Sequence, residues 1–252
     1  MFGLMNFSGS CWVNACLQSV LRIPEVQERY MDEKHDPTNP IDLALYKIWS
    51  SKGNGLKEFF EAVRTEMMPA GQGIGDSHEL FVYLCDKLPF LDKLCRFKVA
   101  DSIQCKSCKK KELKEDMVTE FSLTSSGPCV PISKCITDTV LPHDIPDWTC
   151  ETCKEKGCTK QQLIGSFPQV MAFHMVSTQA SVNYSSILML NKIHYALLSV
   201  CCYNGSHWWS YGRDKVGESW YTLDDMRVEE HGPKQFPLSS KMRLLIYYRL
   251  NN

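Results

Sequence analysis

The chain has 252 residues, 44% of them hydrophobic and 23% charged, with a formal net charge of −1. That is the composition of an ordinary globular protein, long enough for one substantial core or two small ones. It excludes a strongly basic nucleic-acid binder, because the run Lys109-Lys110-Lys111 is short and diluted by Glu112, Glu115 and Asp116. No stretch is apolar for long enough to span a bilayer, and no basic segment followed by an apolar core opens the chain. Thirteen cysteines, an odd number without a secretory signal, argue for free thiols, a metal site and a reactive thiol in a reducing compartment, the cytoplasm or nucleus.

The first element in the chain is a helix. Val13, Cys16, Leu17, Val20 and Leu21 follow helical spacing up to an Ile23-Pro24 stop. Cys11 therefore lies at the helix N-terminus, where unpaired amide N–H groups and the positive end of the helix dipole favour a thiolate. Gly3, Ser8, Gly9 and Ser10 make a small, open approach to it. Position alone leaves two readings, a nucleophile or a small inert core residue.

This stretch resembles the cysteine box of the ubiquitin-specific proteases, papain-like deubiquitinating enzymes. Gly3, Leu4, Asn6, Cys11, Asn14, Leu17 and Gln18 match the family pattern, while Ser8 stands where the family has glycine and Ser10 where it has threonine. The resemblance implies that Cys11 is the nucleophile and that the Asn6 side-chain amide stabilises the oxyanion.

Two helical stripes follow, Ile41, Leu45, Ile48 and Trp49, then Leu56, Phe59, Phe60 and Val63, separated by breaks at 36–40 and 53–55. Beyond a small-residue loop at 67–75, Leu80, Leu84, Cys85 and Leu88 mark another helix. Asp76 precedes Glu79 by three residues, the spacing of a capping box, so both carboxylates have a structural explanation. The segment also resembles the family's second box, with Asp76, His78 and Glu79 matching, Gly75 replacing a glutamine and Leu80 a phenylalanine. The resemblance implies that Asp76 and Glu79 contact the basic C-terminal tail of ubiquitin.

From Phe97 the pattern changes to short alternating runs carrying two C-x-x-C knuckles, Cys105/Cys108 and Cys150/Cys153. Four thiolates from two tight turns suit tetrahedral zinc, although residues 109–149 make a longer spacer than a zinc ribbon usually has. Cys158 is a substitute ligand, and a metal-free pair of turns is the alternative. The family carries a structural zinc ribbon of this kind at the tips of its β-rich fingers. A buried strand follows in 162–176, with Pro168 at its start and His174 as a structural histidine; Ser177-Thr178 occupy the family's Arg-Phe positions.

Tyr195, Leu197, Val200 and Tyr203 predict a strand, Asn204-Gly205 a tight turn, and His207 to Tyr211 the antiparallel return. An isolated histidine there reads as a satisfied strand residue. The segment nevertheless resembles the family's histidine box: His207, Tyr211, Arg213, Trp220, Tyr221, Asp224, Asp225 and Val228 match, with Ser206 and Trp208 substituted and a shortened loop before His207. The resemblance implies that His207 is the general base and that Asp224, or failing it Asp225, orients the imidazole. The chain closes on an apolar β run, MRLLIYYRL.

Three motifs in family order imply an α+β, papain-like cysteine protease with a helical thumb, a β-rich palm and zinc-ribbon-bearing fingers. It would be a single catalytic domain over 1–252, with the thumb in 1–95 and the fingers and palm in 96–252. Its activity would be thiol-dependent cleavage after the C-terminal Gly-Gly of ubiquitin on protein lysines, with structural Zn2+. The alternative modifier is the interferon-induced two-lobed ubiquitin-like protein. A catalytically silent ubiquitin-binding module and a zinc-dependent interaction protein are the alternatives of other classes.

Overall fold

The computed structural model describes residues 1–68, 74–125, 127, 130–176, 182–235, 239 and 241–250. Ser177, Thr178 and most of the 67–75 loop lie outside these. Helices dominate the first part of the chain: α1 (Cys11–Val20), α2 (Pro24–Met31), α3 (Pro40–Ser50), α4 (Leu56–Met67), α5 (Ser77–Lys87) and α6 (Pro89–Cys95). Strands β1 (Phe97–Cys105), β2 (Lys111–Val118), β3 (Phe121–Leu123) and β4 (Val130–Pro131) follow, then helix α7 (Ile132–Val140). The remainder is β5 (His143–Thr149), β6 (Lys156–Ile164), β7 (Val170–Met175), β8 (Val182–Asn183), β9 (Ile187–Leu190), β10 (Ile193–Tyr203), β11 (Trp208–Gly212), β12 (Trp220–Asp224), β13 (Arg227–His231) and β14 (Met242–Arg249).

Prolines place several helix starts. Pro24, Pro40 and Pro89 each occupy a first helical position, where the missing N–H costs nothing and the fixed φ is already helical. The Ile23-Pro24 pair thus ends α1 and begins α2. At α3 the Asn39 side chain accepts from the amides of Ile41 and Asp42, which satisfies two of the donors that a helix start leaves open. All ten residues of α1 are buried, so its apolar face extends beyond the stripe seen in the sequence.

The main sheet runs β13-β12-β11-β10-β14-β7-β3, with β9 paired to the start of β10. Its pairs are antiparallel except β3 with β7. The thumb helices pack on one face, joining Val170, Ala172, Cys201, Trp208, Leu244 and Ile246 to their own core. On the other face Met171, Phe173, Leu197, Val200, Leu245 and Tyr247 meet α7, β1 and β9 in a second core. With both faces covered, β10 is buried over eight consecutive residues, as a strand in the middle of a layered fold should be. Helix α7, absent from the sequence reading, buries Ile132, Cys135 and Ile136 in that second core. A separate antiparallel sheet, β2-β1-β6-β5, carries the cysteine knuckles at its tip. Among the described residues no helix is long and apolar enough to cross a membrane.

Candidate active site

The segment before α1 is tied to the turn that follows β12. Leu4 N–H donates to the Asp225 carbonyl at 2.9 Å, and a Cβ on Gly3 would lie 2.6 Å from the Met226 carbonyl oxygen, so only glycine permits this approach. Gln18 on α1 donates to the Phe2 carbonyl at 2.6 Å. The loop then turns through Ser8 (φ +48°) and Gly9 (φ +99°), while the Asn6 Oδ1 accepts from the amides of Gly9 and Ser10, both at 3.1 Å. Ser8 holds a left-handed conformation that glycine adopts freely and serine only at a cost of roughly 1 kcal/mol. The loop geometry nevertheless closes, and Cys11 is delivered as the first residue of α1.

His207 enters from the opposite side, just ahead of β11. The Asn204 side chain builds its turn, its Oδ1 accepting from the amides of Ser206 at 3.0 Å and His207 at 2.9 Å. His207 Nε2 lies 2.6 Å from Asp224 Oδ1 at the end of β12. Nδ1 is then the ring nitrogen left to meet a thiol. Strand β11 packs against α1, and the backbone amide of Trp208, the next residue, lowers the pKa of the Cys11 thiol.

The two adjacent aspartates have different partners. Asp225 belongs to the same cluster as His207, with ligand atoms within 4.8 Å, but its oxygens are taken by two asparagines. Asn6 Nδ2 donates to Oδ2 at 2.7 Å and Asn14 Nδ2 to Oδ1 at 2.7 Å. A left-handed φ of +52° at Asp225 turns its side chain away from the direction of Asp224. Asp224 therefore meets the imidazole, and Asp225 holds Asn6. One hydrogen of the Asn6 amide is used in this way, and the other can serve an incoming oxygen. Asn14 matches the cysteine-box pattern without suggesting any contact; its link between α1 and Asp225 appears only in three dimensions.

The electrostatics differ from the thiolate expected at a helix end. Cys11 is 2% exposed. Burial pushes its thiol above the ordinary value, the Trp208 amide opposes this, and the Asp225 carboxylate adds to the rise. Burial outweighs the helix terminus, so Cys11 is held toward the thiol rather than the thiolate. Cys16, fully buried on α1, is pushed up much further by burial.

Helix α5 packs its start against α1. Ser77 Oγ donates to the Trp12 carbonyl at 2.7 Å, and a Cβ on Gly75 would lie 2.5 Å from the Trp12 ring. A glutamine at position 75 would therefore force Trp12 to move. Asp76 is the N-cap, but its Oδ1 accepts from His78 N–H at 2.6 Å rather than from Glu79, so the cap is real while the bond of a capping box to Glu79 is not the one formed. Both carboxylates sit at the N-terminal end of α5.

At the distal sheet the four knuckle cysteines converge. Cys105 and Cys153 sulfurs are 3.6 Å apart, Cys108 and Cys150 3.7 Å, and all four lie within 4.8 Å of one another. Tetrahedral zinc with bonds near 2.3 Å needs sulfurs about 3.8 Å apart, so the donor set fits. Turn amides hold the Cys105 and Cys150 thiols below their ordinary value, Cys105 at about 6. Cys158 is opposite Cys105 across β1 and β6, behind the cluster and outside the set of four.

Comparison with known proteins follows the same lines. Residues 2–247 match the family model described as ubiquitin carboxyl-terminal hydrolase. The chain is 22% identical to the probable ubiquitin carboxyl-terminal hydrolase 8 of Schizosaccharomyces pombe, covering 98% of this chain and 64% of that protein. It is 25% identical to ubiquitin carboxyl-terminal hydrolase 24 of Mus musculus over 88% of this chain and 10% of that one. The chain thus spans just under two thirds of the first relative and a tenth of the second. Among solved structures, the SAGA Ubp8/Sgf11/Sus1/Sgf73 DUB module bound to ubiquitin aldehyde superposes with a TM-score of 0.81 at 15% identity, covering all of this chain and 70% of that one. The monoubiquitin-bound form of that module gives 0.82 at 15% identity, with 69% of that chain covered. This likeness shows that the fold is that of the ubiquitin-specific proteases. With a family model matched along nearly its whole length, the chain belongs to the ubiquitin carboxyl-terminal hydrolase family.

Proposed function

We propose that the protein is a thiol isopeptidase that cleaves the bond after the C-terminal Gly-Gly of ubiquitin joined to protein lysines. The observation that supports this is the His207–Asp224 pair at 2.6 Å, next to a strand that packs against α1, whose first residue is Cys11. His207 Nδ1 takes the Cys11 proton, and the sulfur attacks the glycine carbonyl. Asp224 holds the ring in the required tautomer and stabilises the imidazolium. The developing oxyanion accepts from the free N–H of Asn6 and from the backbone amide of Cys11, the kind of donor whose loss costs about 3 kcal/mol of barrier. Collapse expels the lysine amine, protonated by His207. Water, deprotonated by the same ring, then attacks the thioester and releases the modifier's C-terminal carboxylate together with the thiol. Asp225 is a positioning residue that aims Asn6.

Asp76 and Glu79 serve the modifier's arginine-containing tail, supported by the packing of α5 against α1. Zinc is held by Cys105, Cys108, Cys150 and Cys153; when bound it joins the two knuckles and contributes folding energy there. The chain is one catalytic domain, with the thumb in 1–95 and the fingers and palm in 96–252. None of the twelve described cysteines is in a disulfide, which supports a reducing compartment, the cytoplasm or nucleus. The test is labelling by ubiquitin and by the two-lobed modifier, each carrying a C-terminal electrophile, at equal concentration. Covalent attachment of ubiquitin to Cys11 is expected; attachment of the two-lobed modifier alone would overturn the ubiquitin assignment.

A further inference from the structure

A second group of ligating side chains lies where α5 meets the main sheet, made of residues that belong neither to the knuckles nor to the His207 cluster. His78 comes from the first turn of α5, Glu120 from the turn before β3, and His174 from β7, where it pairs in register with Ser122 of β3. One ligand atom from each of the three lies within 4.8 Å of the other two. The imidazoles are parallel, with ring centroids 3.6 Å apart and planes 9° from one another. His78 Nε2 is 3.6 Å from Glu120 Oε1, too far for a hydrogen bond, and is buried without a hydrogen-bond partner. Ser122 Oγ lies 3.4 Å from His174 Nδ1.

His78 Nε2 and Glu120 stand at ion-pair distance without a hydrogen bond, and a cation between them would satisfy both. The gap has the width of a metal ion. Bonds of about 2.1 Å to nitrogen and oxygen across 3.6 Å enclose an angle of roughly 120°, close to tetrahedral. Two imidazoles and one carboxylate suit a borderline divalent transition metal rather than Mg2+ or Ca2+.

We propose that His78, Glu120 and His174 form a second divalent-metal site of the Zn2+ class, pinning the first turn of α5 to the main sheet. The site stands apart from the hydrolase reading, since none of its three residues takes part in the bond cleavage described above. Because the same turn carries Asp76 and Glu79, occupancy would also stiffen that side of the cleft.

The test is equilibrium dialysis of the folded full chain against buffered free Zn2+, with bound metal counted. It uses a Cys11→Ala, His207→Ala background so that the catalytic cluster takes no ion. Two equivalents are expected. Cys105→Ser with Cys150→Ser should remove one, His174→Gln the other, and Glu120→Gln should weaken the second at least tenfold. Saturation at one equivalent, or two equivalents retained by folded His174→Gln, overturns the site. Should His174→Gln fail to fold by circular dichroism, Glu120→Gln and imidazole NMR of the background chain decide. Ring signals of His78 and His174 moving together with the second equivalent support the site, and shifts confined to other histidines reject it.

Discussion

Replacing each of the paired aspartates by asparagine separates orientation of the histidine from orientation of the oxyanion donor. At Asp224 the substitution leaves shape intact but sets an amide against His207 Nε2 across 2.6 Å. If the amide NH2 turns to the ring it favours the tautomer with its proton on Nδ1, which cannot accept the Cys11 proton. In the serine-protease triad an equivalent change costs about 10⁴ in kcat. Since Asp224 is about a third exposed and water can partly replace it, we expect a fall of about 10³. At Asp225 an asparagine keeps one acceptor but sets its NH2 against that of Asn6 or Asn14, breaking one of two bonds of 2.7 Å. Its left-handed φ of +52° suits asparagine well, so the backbone should not be strained. A half-released Asn6 forfeits part of one oxyanion contact, a fall of about 10 to 10². Removing the Asp225 charge also removes one cause of the raised Cys11 thiol, so alkylation of Cys11 should shift to lower pH in this variant alone. The assay is kcat/KM on a fluorogenic ubiquitin C-terminal amide, beside the pH profile of iodoacetamide labelling. A larger loss for Asp225→Asn than for Asp224→Asn would show that the assigned partners are reversed.

Cys11→Ala should abolish hydrolysis with little change in melting, because it removes one sulfur and leaves α1 packed; measurable turnover would remove the central claim. Cys16, held as a buried thiol, should resist alkylation in the native protein, as peptide mapping will show. Glu79→Lys should raise KM more than it lowers kcat, since the Asp76 cap bond goes to His78 and is spared; Asp76→Lys should in addition cost about 1 kcal/mol of stability for the lost cap. A melting curve beside the kinetics distinguishes the two effects. Protein purified without chelator should carry one tightly held zinc, and its removal should release amide protection in β1, β2, β5 and β6 before α1; metal analysis finding no zinc counts directly against the knuckle site.

What the amino-acid order determines here is local. Apolar spacing marks α1, α3, α4 and α5, and two C-x-x-C turns each bring a pair of sulfurs together whatever the rest of the chain does. Helices α2, α6 and α7 are short, and their apolar positions become decisive only against a neighbouring surface, so the same residues read as breaks or connectors. The cysteine and histidine boxes are legible one at a time, yet they lie nearly 200 residues apart, and their meeting depends on β11 packing over α1. Asp224 and Asp225 are chemically identical neighbours. Only the left-handed turn after β12, held by Leu4 and by two asparagine amides, sends one to His207 and the other to Asn6. The Cys11 thiol is decided the same way, because a helix N-terminus is visible in the sequence but the burial that outweighs it is a property of the packed protein. His78 and His174 are unremarkable in their own elements, and become a pair only because a thumb helix and a palm strand are pressed together around them.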